Sequence, residues 1–169
     1  MSVSVARRLT ESLPYPFKNV RPKLVLRGQD PDQVARIRNY FERRTDAIYM
    51  TLGYSCPDWR LFEELFFLLN MENKTRNKKL GLKLWSRVLT NAIVEELRRK
   101  HIHFVAVDCC HHLVKENLFY LLGLFYEGLG STRFVCIFDA AYFERWQRAN
   151  QSPQLDYFLN YISHPLAFK

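Results

Sequence analysis

Apolar and polar positions along this chain follow two alternating rhythms. Four short runs are almost continuously apolar: Lys23 to Arg27, Ala47 to Leu52 closed by Gly53, His103 to Asp108, and Arg133 to Asp139. Runs of that length and content predict buried β-strands. The segment from Pro165 to Phe168 predicts a short edge strand. Between them the apolar residues fall at helical spacing. Asp32 to Arg44 places Val34, Ile37, Tyr40 and Phe41 on one stripe, with Asp32 as the expected N-cap. A helix opening at Pro57-Asp58 carries Leu61, Phe62, Leu65, Phe66 and Leu69. Leu82 to Lys100 turns Leu82, Trp85, Leu89, Ile93 and Leu97 inward. Leu113 to Tyr126, Ala140 to Gln147 and Pro153 to Tyr161 are also helical in pattern, and the polar stretch Glu72 to Lys79 reads as a loop.

Strands that are apolar on both faces and separated by helices predict a mostly parallel sheet covered on both sides, an α/β three-layer sandwich. Its crossovers are expected to be right-handed. Ligands of such folds bind beyond the carboxyl ends of the strands. Gly28, Asp108 and Asp139 are all expected at that edge.

Length and composition fit one domain. The chain has 169 residues, 48% hydrophobic and 15% aromatic, enough for a packed core. Residues 1–22 contain three prolines and read as an arm or helix leading into a domain at 23–169. No apolar run approaches the roughly 20 residues of a membrane span, and the N-terminus lacks the apolar stretch of a secretory signal. A cytoplasmic protein is therefore expected. The four cysteines, Cys56, Cys109, Cys110 and Cys136, form no disulfide-type framework, so reduced thiols are the default. The net charge of +8 is concentrated in two places. One is the set Arg7, Arg8, Lys18, Arg21, Lys23 and Arg27; the other is Lys74, Arg76, Lys78 and Lys79, continued by Lys83 and Arg87. Clusters of this kind neutralise phosphates or face an acidic partner protein, so Lys74, Arg76, Lys78, Lys79 and Lys83 are the candidate DNA or partner contacts.

The first strand leads into Gly28-Gln-Asp-Pro-Asp-Gln-Val-Ala35 and then a helix. Strand, glycine, seven-residue loop and helix are the layout of a P-loop, G-x-x-x-x-G-K-[ST]. Only the first glycine is met. Gln33 stands where the second glycine belongs, Val34 where the lysine belongs, and Ala35 where the magnesium-binding hydroxyl belongs. Asp30 and Asp32 add negative charge. A carboxylate about 4 Å from a phosphate charge is repelled by roughly 4 kcal/mol at an effective dielectric of 20, about three powers of ten in affinity. Pro31 also removes a backbone donor.

The element order resembles the core of AAA+ ATPases, in particular the TniB/TnsC-type ATPases of transposon target selection, over about Lys23 to Phe168. Leu24-Val-Leu-Arg-Gly28 is similar to the Walker A strand and its first glycine. Phe104-Val-Ala-Val-Asp108-Cys-Cys-His-His-Leu113 is similar to the Walker B line, with Cys109 in place of the catalytic glutamate. Phe134 to Asp139 resembles the sensor strand, and Ser152-Pro-Gln-Leu155 with Phe158 resembles a late segment, with Tyr157 where the family places an arginine. The resemblance implies a pseudo-ATPase with a P-loop NTPase-like fold. Its vestigial nucleotide site would comprise Gly28, Gln33, Val34, Ala35, Asp108 and Cys109, with no cofactor. Its implied partners are an active AAA+ ATPase or another transposition component of a mobile element, and DNA.

Beside this reading stand a simple DNA-binding regulator using Lys74 to Lys79 and two further site chemistries. Asp108 and Asp139 end buried strands, and adjacent strands would pair them for a metal-dependent nuclease or phosphotransfer enzyme, with Glu63, Glu64 or Glu116 as a third ligand. The plain alternative is that each aspartate caps the following turn. The run Cys109-Cys-His-His112, near His101 and His103, offers zinc donors or an activated thiol. Adjacent residues diverge on a strand or a helix, and zinc pairs are normally two to four residues apart, so no metal is expected. The aromatic positions Phe62, Phe66, Phe67, Phe119, Tyr120, Phe125 and Tyr126 are expected in the core. The denser series Tyr142, Phe143, Trp146, Tyr157, Phe158 and Tyr161 leaves room for an interface with another subunit, as in a homo-oligomer.

Overall fold

The computed structural model describes residues 22–53, 64–65, 67–69, 82–115, 118, 132–162 and 166–167. The apolar runs become strands β1 (Lys23–Arg27), β2 (Ala47–Thr51), β3 (Phe104–Asp108), β4 (Arg133–Asp139) and a two-residue β5 (Leu166–Ala167). They form one sheet in the order β2-β3-β4-β1-β5. Every neighbouring pair is parallel, with Val25 opposite Ile137, Met50 opposite Val107, and Ala106 opposite Val135. Among the described residues, the longer helices are α1 (Pro31–Glu42), α2 (Leu82–Arg99), α3 (Ala140–Ala149) and α4 (Pro153–Tyr161), and residues 64–65 and 67–68 are also helical. The α/β class and the parallel sheet expected from the two rhythms are borne out.

Alternation along the strands divides the core in two. Val25, Phe104, Ala106, Val135 and Ile137 pack with Ile37 and Phe41 of α1 on one face. Leu24, Val105, Val107, Phe134, Cys136 and Phe138 pack on the other with Ile93 and Leu97 of α2, Phe143 and Trp146 of α3, and Leu155 and Phe158 of α4. Trp146 anchors this second layer. Its ring lies 4.6 Å from that of Phe138 and its indole N–H donates to the Leu113 carbonyl at 2.7 Å.

Several boundaries differ from the sequence reading. The first helix begins at Pro31, with Asp30 rather than Asp32 as its cap. Proline at the first helical position gives up a hydrogen bond that would be unmade anyway. Asp30 then lies one residue earlier, where its carboxylate accepts the Asp32 N–H at 3.1 Å. Only Gly28, Gln29 and Asp30 remain between β1 and α1, so the loop has three residues rather than seven. β3 starts at Phe104 rather than His103, and α3 runs on to Ala149 rather than stopping at Gln147. Phe67 is 78% exposed and is not a core residue. Tyr157 is 71% exposed, whereas Phe143, Trp146 and Phe158 are buried. Several expectations fall outside the described residues: the arm at 1–21, the start of the helix at 57–63, the loop at 72–79 and most of the stretch 116–131.

Candidate functional site

The connections from β1 and β4 leave the sheet on opposite faces. β1 feeds α1 on one face, β4 feeds α3 on the other, and the two strands are neighbours. That divergence marks a topological switch point at the carboxyl edge, the place where ligands of open α/β sheets bind. Arg27 pairs in register with Asp139 at this point. Gly28, Asp108, Cys109 and Asp139 thus share one edge, as expected.

Groups at this edge that could meet a ligand are engaged within the chain. The backbone N–H of Gly28 donates to Gln33 Oε1 at 2.8 Å. Gln33 is buried, and its amide oxygen would lie 2.9 Å from a β-carbon at Gly28. A side-chain amide therefore stands at the glycine turn, where a phosphate-binding loop would present its backbone to an oxygen of the ligand. Asp30 covers the amino end of α1, the other anion-binding element of such a loop. Gln33, Val34 and Ala35 lie within the first turns of α1 and not on a loop that could wrap a phosphate.

Asp108 is similarly occupied. Its Oδ1 accepts from Arg27 Nε at 2.8 Å and from the Cys109 N–H at 2.7 Å, and its Oδ2 accepts from the Tyr49 hydroxyl. Arg27 reaches from β1 across β4 to do this, and both partners are buried, 6% and 1% exposed. Arg27 also donates to the Gly28 carbonyl at 2.9 Å and to Cys109 Sγ at 3.4 Å. Burial pulls the Arg27 pKa down, but Asp108, Cys109 and Asp139 more than reverse this and hold it above its ordinary value. Burial, reinforced by the hydrogen bond to Asp108, raises the Tyr49 pKa.

Asp139 spends its carboxylate on the cap of α3, accepting the Ala141 N–H at 3.0 Å. The two strand-end acids share the sheet edge, but Asp108 is paired with Arg27, whose raised pKa also reflects the charge of Asp139. They do not form a bare carboxylate pair. Glu64 is half-buried, and Glu63 and Glu116 are outside the described residues. The same holds for Lys74, Arg76, Lys78 and Lys79, and for the side chain of Lys83.

The turn after β3 departs from both regular geometries assumed in reading its sequence. Cys109 adopts the left-handed conformation, φ 57°, and a single 3-10 turn follows at Cys110–His112. Asp108 does not cap this turn in the ordinary way, because Cys109 holds the cap position without a side-chain bond. Cys110 turns inward, is fully buried, and donates to the Val107 carbonyl at 3.1 Å. Cys109, His111 and His112 are left facing one another, with one ligand atom from each within 4.8 Å of the others. His112 Nδ1 lies 2.9 Å from the Leu52 carbonyl, and the His111 ring stacks on Tyr142 at 5.2 Å. Burial, then Asp108, raises the Cys109 pKa; burial, then His112, lowers that of His111. His101 and His103 lie at the opposite end of β3 and take no part.

Sequence reasoning missed three contributors: Arg27 as the partner of Asp108, Tyr49 as its second donor, and the Gln33 amide as occupant of the glycine turn. A cationic residue closing a buried strand was the one legible sign, since a buried guanidinium demands an acid. Among the described residues no helix is long and apolar enough to cross a membrane. No protein-family model matches the chain, and no curated protein matches it.

Proposed function

We propose that this chain is a nucleotide-independent interaction protein: a P-loop NTPase-like, AAA+-type core whose nucleotide site is filled by its own side chains. On this reading it binds or regulates an active ATPase partner, and DNA, within a mobile-element system of the TniB/TnsC type. The observation that carries the proposal is that two groups at the carboxyl edge are both engaged within the chain. Gln33 takes the Gly28 N–H, and Arg27 takes the carboxylate of Asp108. A working site needs the first for phosphate oxygens and the second for Mg²⁺. The degenerate Walker positions point the same way, since a hydrophobic Val34 replaces the phosphate-gripping cation. A subunit with the interface of an ATPase but no nucleotide switch binds without cycling. The nuclease reading loses support because Asp108 is paired with Arg27 and Asp139 caps α3.

Thermal unfolding with and without millimolar ATP-Mg²⁺ tests the filled site. A ligand at 100 times its dissociation constant stabilises by about 2.7 kcal/mol; no shift is expected, and a clear one would overturn the reading. Affinity purification from the native host tests the partner. Recovery of an ATPase or transposition component is expected, and repeated recovery of neither counts against the proposal. Salt-dependent DNA retardation, weakened by neutralising Lys74, Arg76, Lys78 and Lys79, tests the DNA arm.

A further inference from the structure

We propose that Cys109, His111 and His112 form a binding site for a zinc-class divalent metal ion, with one sulfur and two imidazole ligands and a fourth position open to solvent or an incoming ligand. One donor atom from each residue lies within 4.8 Å of the other two. A tetrahedral zinc with bonds of about 2.3 Å to sulfur and about 2.0 Å to nitrogen needs its donors some 3.3–3.6 Å apart. Closure therefore asks for about 1 Å of side-chain adjustment, within reach of residues that are only half-buried.

A left-handed residue brings this cluster together. Cys109 sits at φ 57° without being glycine, a conformation that costs roughly 1–2 kcal/mol. The consequence is that Cys109, His111 and His112 converge while Cys110 turns into the core, although all belong to one unbroken run. An ordinary exit from a strand into a helix needs neither the strain nor the convergence.

The surroundings supply the outer contacts that metal-binding histidines use. The His112 Nδ1–H donates to the Leu52 carbonyl at 2.9 Å, which places the ring's lone pair on Nε2. The His111 ring is held flat against Tyr142, at 5.2 Å and 20°. His111 Nδ1 is buried and has no hydrogen-bond partner among the described residues. A guanidinium N–H of Arg27 lies 3.4 Å from Cys109 Sγ and serves as an outer donor to the sulfur. One sulfur and two imidazoles select Zn²⁺ and its neighbours over the oxygen-seeking Mg²⁺ and Ca²⁺. The ion would tie the exit of β3 to the exit of β2 through Leu52 and to α3 through Tyr142.

The test uses the full chain, stripped with chelator and titrated with Zn²⁺ against a chromophoric competitor, and separately with Co²⁺. One equivalent of Zn²⁺ is expected. Co²⁺ should give the visible bands of a four-coordinate ion and a thiolate-to-metal charge-transfer band that Cys109→Ser abolishes. His111→Gln and His112→Gln should each weaken Zn²⁺ binding at least tenfold, the effect seen even for outer-shell changes. His101→Gln, at an exposed position beyond the other end of β3, should change nothing. Metal-free melting curves identify any variant that fails to fold, and His111→Gln carries the test if Cys109→Ser does so. Absence of stoichiometric binding would overturn the proposal. So would binding unaffected by the Cys109 and His111 substitutions, or a cobalt spectrum without thiolate character.

Discussion

The buried pair between Arg27 and Asp108 offers the most discriminating perturbation. At 2.8 Å and an effective dielectric of 20 its Coulomb attraction is roughly 6 kcal/mol gross. Desolvating two groups that are 6% and 1% exposed offsets most of this. Breaking the pair from one side is different, because the survivor stays buried. In Arg27→Met the carboxylate keeps only the Tyr49 hydroxyl and the Cys109 N–H. In Asp108→Asn the guanidinium keeps the Gly28 carbonyl and the Cys109 sulfur. Each single change is expected to cost about 3–5 kcal/mol. The double variant should cost less than the sum by about 2 kcal/mol or more, since neither charge is then stranded. Urea unfolding followed by tryptophan fluorescence reads these values if the slope with denaturant is unchanged. A single-variant cost below about 1 kcal/mol, the behaviour of an exposed pair, would refute the reasoning. So would strict additivity in the double variant.

Three further outcomes follow. Replacing Gln33, Val34 and Ala35 with Gly, Lys and Thr introduces the residues of a P-loop but should not produce ATP binding by calorimetry. The three-residue loop, the Asp30 cap and the Arg27 plug all remain. Ser152→Ala removes the cap that accepts the Leu155 N–H at 3.1 Å and should cost about 1 kcal/mol in chemical unfolding. The hydrogen bond from Arg44, aided by its charge and by His103, holds the Asp46 pKa below its ordinary 3.8. A depressed acid contributes stability that is present above its unfolded pKa and lost as pH falls through the folded one. Stability should therefore drop below about pH 4, and Asp46→Asn should flatten part of that slope in acid titrations monitored by circular dichroism.

Much of the architecture was written in the sequence. Strands such as Phe104 to Asp108 are buried at every position, so their apolar runs carry no competing signal. Likewise the ends of α2 and α4 fall almost to the residue where the helical pattern puts them. The start of α1 was misplaced because two aspartates flank Pro31, and both are plausible caps. The deciding fact is that proline favours the first helical turn, which selects Asp30. The site was less legible. Gln33 lies on the same stripe as Ile37 and Phe41, at spacings of four, but a polar residue does not register in a hydrophobic pattern. Nor does any local rule announce that Arg27 crosses a whole strand to reach Asp108. The convergence of Cys109 with His111 and His112 depends on one left-handed residue, which the spacing of residues on a regular strand or helix does not reveal.

The Gln33 amide seated at the Gly28 turn has a temporal consequence. Proteins that load and spend a nucleotide carry an internal clock, because hydrolysis marks how long a complex has existed. On the function proposed above, a domain born with its cradle stocked would have no such timer. Any assembly it joins would persist for as long as contact strength and chain turnover dictate, so its dosage in the cell, not a chemical cycle, would govern when it lets go.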